Sequence, residues 1–206
     1  MKKIALRLTA LVLAVISITM LLSSCSITIL EEEFQLQYTE NEDSCTLLGY
    51  KGDCPEKLKL VIPDTYNGKP VVRIEGGAFS NCNELLMVTI GSNVTEIGAG
   101  AFSDCLMLQE VTLGKNLQSI EEKAFYCCVE LIRISIPEYV TNIGKEAFMD
   151  CVSLKSVPFE RQYGWSAVKG GTTSVFSSMD DKAKNAEYLV YKYSEFVWSN
   201  YGAGKS

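Results

Sequence analysis

The sequence predicts an α/β repeat fold, a solenoid of short parallel strands and short helical turns closed by an N-terminal hairpin cap and a C-terminal helical cap. Three observations carry this. Phe recurs at 79, 102, 125 and 148 in steps of 23 residues, and Cys keeps the same step at 82, 105, 128 and 151. Each unit carries a triplet that alternates apolar, polar, apolar, as in Val88-Thr89-Ile90, Val111-Thr112-Leu113 and Ile134-Ser135-Ile136. No insertion breaks the register across four units. A fixed period of this size marks an array in which a unit buries its apolar face only against its neighbours.

In chain order, the sequence divides into a leader (1–24), a tether (25–33), an N-terminal hairpin cap (34–70), the repeats (71–159) and a C-terminal cap (160–206). The leader starts with Lys2 and Lys3 and continues through an apolar run from Ile4 to Leu22. That is the pattern of a secretory signal. Leu22-Ser23-Ser24-Cys25 then resembles a bacterial lipobox, which implies lipidation of Cys25 and a membrane-anchored, extracytoplasmic protein. The other reading of the same run is an uncleaved membrane anchor, because its length approaches the roughly 20 residues that span a bilayer.

In the N-terminal cap, Cys45 to Tyr50 and Lys57 to Ile62 flank a loop containing Gly52, Asp53 and Pro55, and are expected to pair as a hairpin. Each repeat then supplies an alternating strand, a turn at Gly91, Gly114 or Pro137, and a second extended piece such as Val94-Thr95-Glu96-Ile97. The Ala-Phe-x-x-Cys-x-x-Leu segment has three- and four-residue apolar spacing and is expected to be a short helical turn. After the repeats, Asp180 and Asp181 precede Ala183, Ala186, Leu189, Val190, Tyr193 and Val197, the spacing of an amphipathic helix with acids at its start. Tyr191, Tyr193, Phe196 and Trp198 in the same stretch read as cap packing, or as an exposed aromatic platform for a glycan or partner.

The run Ile-Gly-x-x-Ala-Phe-x-x-Cys-x-x-Leu-x-x-Val-x-Ile, seen best from Ile97 onward, resembles the BspA-like leucine-rich repeats. The resemblance covers Val71 to Phe159, with Glu75 and Glu121 standing where the pattern prefers the glycine of Gly98 and Gly144. It implies a surface protein in contact with host or neighbouring-cell macromolecules.

The eight cysteines fall into classes. Cys82, Cys105, Cys128 and Cys151 form one column and read as a buried ladder, since free cysteine packs as a small apolar residue. A metal site is the rival reading, but thiols in a line do not make a tetrahedron. Cys45 and Cys54 bracket the hairpin in an oxidising compartment and are the candidate disulfide. Cys127 occupies a column otherwise held by Asn81, Asp104 and Asp150, so an exposed thiol is expected.

Composition argues against catalysis. The chain has no His, which removes the commonest general base. Lys169-Gly170-Gly171-Thr172-Thr173 lacks the spacing of a phosphate loop. A hydrolase built on an acid pair is the remaining enzyme reading, but Glu96, Glu110, Glu121, Glu122 and Glu130 fall on turns and outward positions. No catalytic residue, metal ligand or cofactor is therefore expected. The net charge of −6, more acidic once Lys2, Lys3 and Arg7 leave with the leader, argues against nucleic acid as a partner.

The expected binding face is the outward side of the strands: Met87, Glu110 and Arg133 in one column, Thr89, Thr112 and Ser135 in the next. On the other extended piece the outward columns are Thr95, Gln118, Thr141 and Glu96, Ser119, Asn142. These surfaces fit a protein or glycan ligand, or a partner within the same cell envelope. None of these four columns has the single charge sign or aromatic run that would name the ligand.

Overall fold

The structure, a computed structural model, describes residues 28–29, 36–50, 54, 58–176 and 178–200. Cys25, the leader and the loop around Gly52, Asp53 and Pro55 lie outside the described residues.

The strands in chain order are β1 (Thr28–Ile29), β2 (Leu36–Glu40), β3 (Cys45–Tyr50), β4 (Leu58–Ile62), β5 (Thr65–Tyr66), β6 (Lys69–Ile74), β7 (Leu85–Ile90), β8 (Glu96–Ile97), β9 (Glu110–Thr112), β10 (Ser119–Ile120) and β11 (Asn142–Ile143). After the repeats come β12 (Trp165–Lys169), β13 (Thr172–Val175), helix α1 (Lys182–Glu187) and β14 (Val197–Asn200). The first sheet runs β1-β4-β7-β9 and every pairing in it is parallel. Bridges Glu110 to Arg133 and Ile136 to Phe159 carry it through the last rungs. The second sheet contains β6 and the two-residue strands β8, β10 and β11, stacked parallel and flanked by the caps.

The core lies between these sheets. Leu60, Val88, Val111, Ile134 and Val157 line one wall, and Ile74, Ile97, Ile120 and Ile143 the other; all are buried. Between them Phe79, Phe102, Phe125 and Phe148 form a ladder of near-parallel rings, with centroids 5.3, 5.3 and 5.4 Å apart. A ring burying this much apolar area beside an offset neighbour gains from both burial and stacking.

The segment expected to be helical is a run of overlapping turns. Ala101 N donates to Gly98 O and Ser103 N to Gly100 O, the spacing of a 3₁₀ turn. Two left-handed residues per rung, such as Gly100 and Asp104 with φ of 63° and 59°, stop it from continuing as a helix. Its remaining N–H groups face the next rung instead: Phe79 N donates to Ala101 O, Phe102 N to Ala124 O and Phe125 N to Ala147 O.

Close approach explains the glycine preference. A Cβ on Gly98 would lie 2.6 Å from Gly76 N, and one on Gly144 2.4 Å from Glu122 N. Gly98→Ala is expected to cost about 1–3 kcal/mol, the range for overpacking a tight site. Thermal unfolding followed by circular dichroism checks this; an unchanged midpoint would mean that the rungs are not in this contact.

The N-terminal cap differs from the sequence expectation in its pairing. The hairpin is β2 against β3, antiparallel, with Glu40 opposite Cys45. The segment expected to be its second arm is β4, which stacks parallel on β7 with Leu60 opposite Val88 and Ile62 opposite Ile90. The alternation of β4 buries Leu58, Leu60 and Ile62, so it serves as a first rung. A second, tight hairpin joins β5 to β6 through Asn67-Gly68, with φ of 50° and 77°, the residue pair that such turns favour. Thr28 and Ile29, in the stretch read as tether, pair with Lys59 and Leu60.

The C-terminal cap is part helix, part sheet. Asp181 caps α1 by accepting from Lys184 N, and a π-helical stretch, Tyr188–Lys192, follows. The expected continuation of the helix to Val197 does not occur. Residues 197–200 form β14, which pairs antiparallel with β11 and with β12 and so satisfies the open edge of the last rung. Trp198 faces Ile143 and is buried, whereas Val197 points outward. Trp165 stands edge-on to Phe159 at 5.1 Å. The buried Asn185 amide donates to Val157 O and Met179 O, tying α1 to the last coil.

Candidate binding surfaces

The first sheet brings the six residues expected at a binding face into register. Met87 lies opposite Glu110 and Thr89 opposite Thr112. Arg133 bridges to Glu110 through the backbone and through an ion pair of 3.2 Å between their side chains. Ser135 donates to Pro158 O at 3.4 Å, so its hydroxyl is partly engaged. Both columns run one rung further than the sequence indicated, because Lys59 is opposite Met87 and Val61 is opposite Thr89. The signal for these two was present but offset by five residues from the repeat: Val61 to Thr89 is 28 positions, where the repeat step is 23.

The second sheet has a feature the sequence columns only partly indicated. A groove of about 450 Å³ crosses its rungs, lined by Val72, Thr95 and Gln118 and by Asn93, Asn116 and Tyr139. Thr95 and Gln118 belong to an expected outward column; Asn93, Asn116 and Tyr139 form another at the repeat spacing, on the turns entering the second extended piece. Asn93 Nδ2 donates to Asp64 O, which orients its amide, and Thr95 Oγ1 donates to Val72 O. Beside the groove, Arg73 pairs with Glu96 at 2.5 Å and Asn142 Nδ2 donates to Ser119 Oγ.

The cysteine assignments change in two places. Cys54 is bonded to Cys82, with Cα atoms 5.4 Å apart, and Cys45 is a buried free thiol directed at Tyr66 O. The expected Cys45–Cys54 pair is thus incorrect: β3 and β4 belong to different sheets, and β4 brings Cys54 under the turn that carries Cys82. Cys82 correspondingly leaves the free ladder. The other three thiols remain in it, Cys105 donating to Phe79 O, Cys128 to Phe102 O and Cys151 to Phe125 O at 3.2, 3.2 and 3.1 Å. Burial pushes the Cys105 thiol far up, so it stays protonated. Cys127 is half-buried with φ of 60°, a left-handed slot that Asn and Asp fill in the other rungs. Desolvation, then the carboxylates of Asp104 and Asp150, raise its pKa, the opposite of an activated thiol. Among the described residues no group of His, Cys, Asp and Glu could hold a metal ion.

The aromatic segment of the C-terminal cap is mostly internal. Phe176 stacks on Trp198 at 4.9 Å, and Tyr193 meets Phe196 and Trp198 edge-on. Tyr191, in contrast, is 55% exposed.

Residues 55–167 match the family described as BspA type leucine-rich repeat region, in six copies. The chain belongs to this family. Its match begins ahead of Val71, consistent with β4 acting as a rung. Among solved structures, a leucine-rich repeat protein of T. pallidum is similar over 66% of this chain and 65% of that one, at 28% identity and a TM-score of 0.55. One from Bacteroides ovatus matches at 28% identity and TM-score 0.49, over 65% of this chain and 41% of that chain. One from Bacteroides capillosus matches at 28% identity and TM-score 0.47, over 62% and 92%. This BspA-type chain thus spans less than two thirds of the first two proteins. No curated protein matches it. Among the described residues no helix is long and apolar enough to cross a membrane.

Proposed function

We propose that this BspA-type protein is a non-catalytic binding module, anchored by lipid at Cys25 and displayed on the cell surface, where it engages a protein or glycan. The observation that carries the reading is the rigid parallel face of β4, β7 and β9. It presents Lys59, Met87, Glu110 and Arg133 in one outward column and Val61, Thr89, Thr112 and Ser135 in the next. A solenoid held rung to rung by backbone hydrogen bonds loses little entropy on binding, so weak contacts along the face add up. Its chemistry is mixed in charge and polarity, which suits a macromolecular surface and offers no reaction centre.

Protease treatment of intact cells tests the reading. Wild-type protein is expected to be digested on whole cells, and Cys25→Ala to be released or mislocalised. Protection until the envelope is opened would remove the surface role.

One observation favours a second reading, a scaffold inside the envelope. Because Thr28 already pairs with Lys59, only three peptide steps separate Cys25 from the sheet, a reach of about 10 Å at full extension. So short a connection holds the domain against the membrane and favours partners close to it.

A further inference from the structure

We propose that the groove on the second sheet is a subsite for a neutral glycan chain, with the Tyr139 ring as its stacking platform and Asn93 and Asn116 as its amide contacts. This rests on the reading of the protein as a binding module, and it names a site distinct from the face of β4, β7 and β9. Three features of the groove converge.

The first is its chemistry. Its lining combines the apolar Pro70 and Val72 with the amides of Asn93, Asn116 and Gln118 and the hydroxyl of Thr95, and none of these side chains is charged at neutral pH. On a chain with net charge −6, an uncharged polar groove selects an uncharged polar ligand. Amides that can both donate and accept suit the paired hydroxyls of a sugar. Among the described residues the side chains of Asn116 and Gln118 make no internal hydrogen bond, leaving them available.

The second is Tyr139. Its ring is 53% exposed, outside the aromatic cluster of the C-terminal cap. An exposed aromatic face beside polar donors is the arrangement that stacks on the C–H face of a pyranose while its hydroxyls bond outward.

The third is spacing. Asn93, Asn116 and Tyr139 repeat rung by rung, and the rungs of this sheet are hydrogen-bonded parallel strands, such as β8 and β10, about 4.8 Å apart. That rise is close to the length of one hexopyranose in a glycan chain. An extended peptide advances about 3.3 Å per residue and does not match it. The backbone beside the groove also offers a peptide no pairing edge, since Thr95 N, Gln118 N and Thr141 N already donate to Val72 O, Thr95 O and Gln118 O.

The test is binding of malto-, cello- and manno-oligosaccharides of increasing length to the full chain in a polyoxyethylene detergent, which has no sugar headgroup to compete. Calorimetry is expected to show affinity rising with chain length. Tyr139→Ala and Asn116→Ala each weaken it roughly tenfold or more, while Tyr139→Phe and the control Tyr163→Ala retain it. Thermal unfolding of each variant verifies the fold. The proposal is overturned if no neutral oligosaccharide binds, if oligogalacturonate or an extended threonine-rich peptide binds better, or if Tyr139→Ala binds like wild type. A protein that binds these sugars yet is protected on intact cells loses the surface role but keeps the subsite. One that is digested on intact cells but binds no sugar keeps the surface role and loses the subsite.

Discussion

Phe125→Ala is expected to lower the unfolding free energy by about 3–5 kcal/mol, the range for truncating a buried phenylalanine. Phe125 is fully buried and its ring lies between Phe102 and Phe148, at 5.3 and 5.4 Å. Truncation opens a cavity in mid-ladder, and collapse into it is opposed by the backbone bonds Phe102 N to Ala124 O and Phe125 N to Ala147 O. The same change at Phe79 is expected to cost less, because that ring has a stacked partner on one side and retains slight exposure. Urea unfolding measures both. Circular dichroism follows the rungs, while fluorescence follows Trp165 and Trp198, the chain's two tryptophans, both in the C-terminal cap. Coincident shifts would show the cap and coils unfolding as one unit. A loss at Phe125 below about 1 kcal/mol would contradict the packed ladder.

Reducing the Cys54–Cys82 bond is expected to cost about 3–4 kcal/mol, the loop-closure value for a sequence separation of 28. The bond fastens the first rung to the second, beside the N-terminal cap, and closes a loop that the unfolded chain would otherwise leave free. Cys54→Ser should reproduce the loss and make the protein insensitive to further reductant. Cys45→Ser should leave the sensitivity to reductant intact, because Cys45 is a free thiol. If instead Cys45→Ser abolished that sensitivity, the pairing would be wrong. Both results follow from unfolding curves with and without reductant.

The repeats were legible because a solenoid writes its structure locally. Each residue's neighbours are its equivalents one rung away, so the columns Phe79 to Phe148 and Ile74 to Ile143 announce their contacts by spacing alone. The outward face was legible for the same reason, since alternation in Val88-Thr89-Ile90 states which side is buried. The caps were less so. Nothing local distinguishes β4 as the arm of a hairpin from β4 as a parallel rung; the pattern Leu58, Leu60, Ile62 serves both. Likewise the apolar spacing through Val197 fits a helix, but the open edge of β11 offers backbone partners to a strand, and β14 takes them.

By itself the sequence determined the solenoid class, the identity of the core columns, the absence of histidine chemistry and the six residues of the strand face. Only the tertiary structure decided the partner of Cys54, the extension of that face to Lys59 and Val61, the sheet-and-helix form of the C-terminal cap and the groove that ends at Tyr139. The division has one physical cause. Contacts between identical rungs are encoded by a period, whereas contacts at the ends and across turns depend on which open edge or exposed carbonyl the chain must satisfy, and no period carries that information.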